Sequence, residues 1–179
     1  MTALAFATSP APLPPLPSPE RLQTLLFDAA RLGRDEVIPA LLLAGADIEA
    51  QDAGGYTSLV LASYHGHEET TALLLRHGAS PDGPDDLQGN SALMGVAFKG
   101  HVAIARRLLA AGADPDRRNL AGQTALMMAA LFGREAVVDL LLAAGADPAR
   151  TDAMGSDAAA LAEAQGNDGL AGRLIRHAA

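Results

Sequence analysis

Hydrophobic runs broken by polar residues and glycines predict pairs of short helices along the chain. The clearest pair lies in residues 123–147, QTALMMAALFGREAVVDLLLAAGAD. Thr124 is a residue type that caps helix N-termini and Gly133 is the type that ends helices, so the first helix is predicted between them. The second helix, REAVVDLLLAA, is predicted to end at Gly145. Because isolated helices below about 12–15 residues are marginal in water, each helix needs a packed neighbour.

Glycines and capping residues recur with a period close to 33 residues. Glycines end the predicted first helices, follow the second helices in a Gly-Ala-Asp or Gly-Ala-Ser turn, and precede the next first helix. These positions are Gly33, Gly66, Gly100, Gly133 and Gly166; Gly45, Gly78, Gly112 and Gly145; and Gly55, Gly89, Gly122 and Gly155. The predicted N-caps fall in the same register, at Thr24, Thr57, Ser91, Thr124 and Asp157. Three series with one period indicate a repeat architecture.

The chain resembles ankyrin-repeat proteins over roughly residues 20–179, as a short bacterial-type member with about five repeats. Its copies of the family's T-P-L-H signature are Thr57-Ser58-Leu59-Val60, Ser91-Ala92-Leu93-Met94 and Thr124-Ala125-Leu126-Met127. The Pro and His of the signature are missing, which removes a rigid first turn and a hydrogen-bond partner for the threonine. The resemblance implies an all-α fold, an ankyrin-repeat solenoid of stacked helix-turn-helix units joined by β-turn loops.

The period also sets the predicted organisation of the chain. A Pro-rich disordered tail, residues 1–19, precedes an ankyrin-repeat domain over residues 20–179, with repeats at about 20–51 (N-terminal cap), 52–85, 86–118, 119–151 and 152–179 (C-terminal cap). Paired aliphatic residues of the second helices are predicted to form the continuous core. The pairs are Leu41-Leu42, Leu74-Leu75, Leu108-Leu109, Leu141-Leu142 and Leu174-Ile175.

The tail carries six prolines between Pro10 and Pro19, which forbid a helix and favour an extended conformation. Residues 12–15 and 14–17 match P-x-x-P formally, but no basic residue flanks them, so a stiff leader is the preferred interpretation. No Lys or Arg precedes Arg21, so a secretory signal is not expected and the predicted location is cytoplasmic. No apolar run approaches the roughly 20 residues of a membrane-spanning helix.

Composition narrows the possible functions. With 49% hydrophobic but only 3% aromatic residues, the core must come from Leu, Ala and Val. The absence of cysteine excludes disulfides, thiol catalysis and cysteine metal sites. The net charge is −8, with 5 basic and 12 acidic residues in positions 1–100, which argues against nucleic-acid binding.

A search for chemistry finds no phosphate-binding glycine motif and no nucleophile elbow. His65-Gly66-His67 is the one cluster that suggests a metal, but His67 and His101 share a slot after a helix-ending glycine and are interpreted as turn residues. The turn at residues 80–88 carries three carboxylates and is interpreted as a solvated acidic turn, with a contact for a basic partner patch as second choice. We therefore predict no enzyme activity, no cofactor and no metal.

The large side chains suggest a binding surface. Tyr64-His65, Phe98-Lys99 and Leu131-Phe132 occupy equivalent positions at the ends of successive first helices and are predicted to form a stripe on the concave face. The alternative is that these rings fold inward and fill the core. The turn tips add Gln51, Ala53, Tyr56, Leu87, Gln88, Asn90, Arg117, Arg118, Leu120, Gln123 and Met154, for which a solvated loop is an equal interpretation.

Three functions remain open from the sequence. The first is a monomeric scaffold that binds a partner protein through Tyr56, Tyr64, His65, Phe98, Lys99, Leu131, Phe132, Leu87, Gln88, Asn90, Arg118 and Gln123. The second, which only the resemblance permits, is an accessory or stabilising subunit for a bacterial enzyme such as a catalase. The third is a metal-binding protein centred on His65 and His67.

Overall fold

A computed structural model describes residues 17–84 and 86–178, which fold into ten helices. They are α1 (Pro19–Leu32), α2 (Ile38–Leu43), α3 (Ser58–Tyr64), α4 (Glu68–Arg76), α5 (Ala92–Lys99), α6 (Val102–Ala110), α7 (Ala125–Leu131), α8 (Glu135–Ala143), α9 (Ala158–Ala164) and α10 (Asp168–Ala178). The described residues contain no strand, only an isolated antiparallel bridge between Gln51 and Thr57. The predicted all-α class is confirmed.

The helices form five pairs stacked in one row. Each odd-numbered helix packs against the next odd-numbered one, from α1 to α9, and against the helix that follows it in the chain. Helix α6 packs against α4 on one side and α8 on the other, which gives a second, outer row. This arrangement is the solenoid that the period predicts.

Short polar side chains cap most first helices as predicted. Thr57, Ser91, Thr124 and Asp157 each accept a hydrogen bond from the backbone N–H three residues on, at 3.3, 3.3, 3.3 and 2.8 Å. These bonds satisfy N–H groups that have no partner inside the helix. The caps therefore form without the Pro and His of the family signature.

The first repeat departs from the predicted register. Helix α1 begins at Pro19, with Ser18 as its N-cap, so Thr24 lies inside the helix and donates its hydroxyl to the Glu20 carbonyl. Proline suits the first helical position because the N–H that it lacks would be unpaired there. The predicted cap at Thr24 is wrong, and Pro19 belongs to the helix rather than to the tail. The first proline motif, residues 12–15, lies outside the described residues, as does most of the second, residues 14–17.

The core lies between the two rows of helices. Leu74, Leu108, Leu141 and Leu174 are fully buried, and the second leucine of the three inner pairs packs against them at partial exposure. In the first repeat both Leu41 and Leu42 are only partly buried. Ile175 is 59% exposed, so its predicted core position is wrong. The ends of the stack have a neighbour on one side only, which accounts for both differences.

Side-chain oxygens connect successive turns. Glu49, Asp82 and Asp116 accept hydrogen bonds from backbone N–H groups of the next repeat, at 2.7, 2.7 and 2.9 Å. Asp86 accepts two bonds within its own turn, from the N–H groups of Gln88 and Asn90. The description of 80–88 as a solvated acidic turn is therefore wrong for Asp82 and Asp86, because both carboxylates pair with backbone donors. Asp85 lies outside the described residues.

Candidate binding groove

A groove of about 770 Å³ runs between the turn loops and the row of first helices. Its floor comes from α3, α5 and α7, and its walls come from the ends of these helices on one side and the turn loops on the other. Seven of the residues that the sequence predicts as partner-binding line it: Tyr56, Tyr64, His65, Leu87, Gln88, Asn90 and Phe98.

Three aromatic rings from successive repeats contact one another along the groove. The rings of Tyr64 and Phe98 are stacked, with centroids 6.3 Å apart and planes 6° from parallel. Phe98 and Phe132 meet edge to face, with centroids 4.5 Å apart. Tyr64 is 38% exposed and Phe132 42% exposed, while Phe98 is half-buried. The rings therefore do not fold into the core; they form a surface row, called here the aromatic row.

The polar members of the predicted stripe lie against this row. The Nζ of Lys99 is 4.5 Å from the centroid of the Tyr64 ring and 5.7 Å from that of Phe98. The ring of His65 meets Tyr64 edge to face at 5.6 Å, and its Nδ1 is 2.8 Å from the Leu61 carbonyl oxygen. Leu131, which precedes Phe132 in the chain, is half-buried. A cation over a ring face is an attractive contact, so the row already attracts positive charge.

The turn tips stack through backbone hydrogen bonds and leave apolar side chains exposed. The N–H of Leu120 donates to the Gln88 carbonyl at 3.0 Å, and that of Ala153 to the Ala121 carbonyl at 2.9 Å. Leu87, Leu120 and Met154 are all highly exposed. Their exposure follows from their place at the tips, beyond the reach of the helices.

Two predicted residues brace the loops instead of lining the groove. Arg118 donates to the carbonyls of Gly122 and Thr151, at 3.0 and 2.7 Å. Gln123 is half-buried and accepts a bond from the Asn119 amide at 3.1 Å. Their part in binding stays a prediction.

Sequence reasoning missed several residues that line the groove. Arg31, Asp52, Met94, Gly95 and Met128 all face it. Gly95 could have been noticed, because it interrupts a helical pattern, and an interior glycine weakens a helix. The sequence does not indicate that Asp52 and Arg31 line the groove, because their ion pair at 3.1 Å depends on how two repeats stack.

His67 connects two layers of the stack. His67 and His101 are the N-caps of α4 and α6, which confirms their prediction as turn residues. The Nε2 of His67 lies 2.9 Å from the Arg31 carbonyl oxygen in the preceding layer. Over residues 17–84 and 86–178, no three His, Cys, Asp or Glu side chains are grouped as metal ligands would be.

None of the helices in the described part of the chain has the length and apolar character needed to cross a membrane.

Comparison with known proteins gives a consistent result. A family model described as ankyrin repeats (3 copies) matches residues 26–119 and 82–152. A putative ankyrin repeat-containing protein of Treponema pallidum is 40% identical over 86 residues, 48% of this chain and 29% of that protein. The E3 ubiquitin-protein ligase XBAT33 of Arabidopsis thaliana is 34% identical over 98 residues, 55% of this chain and 19% of that protein.

Human ankyrin repeat and SOCS box protein 3 is 33% identical over 94 residues, 51% of this chain and 18% of that protein. The chain thus spans less than a third of the length of these three relatives. The similarity concerns one portion of each relative, so the activities of the whole proteins do not follow for this chain.

Proposed function

Because the chain belongs to the ankyrin-repeat family, whose repeats mediate protein–protein interaction, we propose that it is a non-catalytic scaffold that binds a partner protein through its groove and turn tips. The partner contacts the aromatic row, the polar groups beside it and the exposed tips of the turns. The interacting residues are Tyr56, Tyr64, His65, Leu87, Gln88, Asn90, Phe98, Lys99, Arg118, Gln123, Leu131 and Phe132.

The aromatic row is the observation that supports this proposal most strongly. The three rings contact one another, and two of them are more than a third exposed. They leave a large apolar area exposed to solvent in a protein that is only 3% aromatic. Contiguous exposed apolar patches and clustered aromatic anchors mark recognition surfaces. The rings also keep each other in place, so a partner meets a surface that is already ordered.

The test is a double substitution, Tyr64→Ala with Phe98→Ala, compared with Leu43→Ala with Ile175→Ala. The control pair removes exposed apolar side chains, 91% and 59% exposed, from α2 and α10 and not from the groove. The variants and the wild type are immobilised, and proteins retained from the native lysate are quantified by mass spectrometry. We expect the groove variant to lose the retained protein and the control to keep it.

The groove substitutions should cost about 1–2 kcal/mol of folding stability, since the rings are partly exposed but contact one another. A retained protein that binds the groove variant as well as the wild type would contradict the proposal. If the retained protein is an enzyme such as a catalase, the more specific role of a stabilising subunit gains support. The monomeric state and the cytoplasmic location stay predictions.

A further inference from the structure

An ion pair closes the groove at its N-terminal end. Arg31, near the end of α1, donates to the Oδ2 of Asp52 at 3.1 Å. The Oδ1 of Asp52 accepts the backbone N–H groups of Gly54 and Tyr56. One carboxylate therefore holds its own turn with one oxygen and binds a guanidinium with the other.

One repeat further on, the carboxylate is kept but the arginine is replaced. Asp86 fills the slot of Asp52 and accepts two backbone N–H groups through Oδ1 in the same way. The slot of Arg31 is filled by Tyr64, two residues before the helix-ending glycine. The Oδ2 of Asp86 accepts only the Asn90 amide, at 3.0 Å, and no cationic side chain within 17–84 or 86–178 pairs with it.

A missing side chain opens space beside Tyr64. Gly95 takes the position that Leu61 and Met128 hold in the neighbouring first helices, and all three residues line the groove. A Cβ added at Gly95 would meet the Tyr64 ring at 3.3 Å, a tight contact, and no other atom within 4 Å, so the ring lies close against the glycine and the groove carries no side chain of its own at this position. Glycine lowers helix stability at this interior position, and no turn or close backbone contact requires it here.

We propose, on the basis of the protein-binding function above, that this part of the groove binds an arginine side chain from an apolar segment of the partner. The guanidinium stacks on Tyr64 and donates to Asp86, as Arg31 donates to Asp52 one repeat earlier. Gly95 leaves room for the side chain. The net charge of −8 attracts a basic segment, while Met128 and Phe98 contact its apolar residues.

Lys99 already places a positive charge over the Tyr64 ring. Its Nζ lies 4.5 Å from the Tyr64 centroid, so an incoming arginine meets a like charge at the same ring. Lys99→Ala should therefore raise the affinity for the arginine-containing segment, because a competing cation leaves the Tyr64 ring. A loss of affinity, as expected of a partner that pairs with Lys99 through a carboxylate, would overturn the arginine site.

The probe is a phage-displayed library of random peptides selected on the folded chain, followed by fluorescence anisotropy of the enriched sequences as synthetic peptides. We expect an arginine flanked by apolar residues. Asp86→Asn should weaken binding by about tenfold and reduce its salt dependence. The turn should persist in this variant, because Asn119 fills the same slot one repeat later and accepts the equivalent N–H groups of Ala121 and Gln123.

Two further variants complete the design. Asp152→Asn removes the same charge from the corresponding slot of the last turn, which does not line the groove, and should change affinity by less than about twofold. Gly95→Met installs the side chain of the Met128 position and should weaken binding by about tenfold with the thermal transition retained.

The outcomes separate this inference from the function on which it rests. Peptides that lose affinity in the Tyr64→Ala, Phe98→Ala variant but bind Asp86→Asn and Gly95→Met normally would overturn the arginine site and leave the groove as a binding surface. Enriched peptides without a basic residue would do the same. A selection that yields no peptide dependent on Tyr64 and Phe98 would count against both.

Discussion

At the scale of single residues, burial depends on whether a repeat has neighbours on both sides. Leu141 is fully buried between layers, whereas Leu41, which holds the same position in the second helix of the first repeat, is only partly buried. The sequence shows both as leucines within similar apolar runs, LLLAG and LLLAAG. The period identifies the equivalent position in each repeat. Only the structure shows how far the neighbouring repeats bury the side chain there.

Leu141→Ala should cost about 2–5 kcal/mol of unfolding free energy, because it removes buried apolar volume that the neighbouring layers cannot fill. Urea denaturation measures this loss directly. Leu43→Ala is the matched control and should stay within about 0.5 kcal/mol of the wild type. A cost below about 1 kcal/mol for Leu141→Ala would show that the leucine register is wrong.

Tyr64 and Phe98 of the groove can be predicted from the sequence, whereas the role of Asp82 in the turns cannot. Tyr64 and Phe98 were found because they recur at one slot, next to a helix-ending glycine. Asp82, in contrast, resembles a solvated acid in the sequence. Its bond to the Asp114 N–H, at 2.7 Å, joins residues of two different repeats that pattern analysis treats separately.

At the scale of elements, the helix boundaries follow from caps and glycines wherever the period is regular. Helix α7, Ala125–Leu131, lies between its predicted cap and Gly133. Helix α1 was misplaced because the first repeat uses Ser18 and Pro19 instead of the periodic threonine. Terminal repeats differ from the others because one face has no neighbour, so the repeat pattern is a weaker guide there.

The two threonines at equivalent sequence positions should therefore behave differently. Thr124→Ala removes an N-cap bond and should destabilise the protein by about 1 kcal/mol. Thr24→Ala replaces a residue inside α1 with a better helix former and should change stability by less than about 0.5 kcal/mol. Thermal unfolding of both variants provides the comparison. Equal losses would argue that Thr24 is a cap and that α1 begins later than Pro19.

At the scale of the whole molecule, thin layers that cannot fold alone share one core and present one groove. Each helix pair is short, and the first helices run in a continuous row from α1 to α9. The sequence predicts this stack from its period alone. It does not predict that the groove lacks a side chain at Gly95, or that Arg31 pairs with Asp52, because both features arise from the different side chains that successive repeats bring to one surface.

The central claim is that a partner protein occupies this groove. Amide hydrogen exchange, measured by mass spectrometry on the chain alone and with the captured partner, tests it most directly. The account predicts slower exchange on binding in segments 52–66 and 86–100, which carry the turn tips and the first two rings, and unchanged exchange in the outer helices α4 and α6. Protection confined to α4 and α6, with the ring segments unaffected, would contradict it.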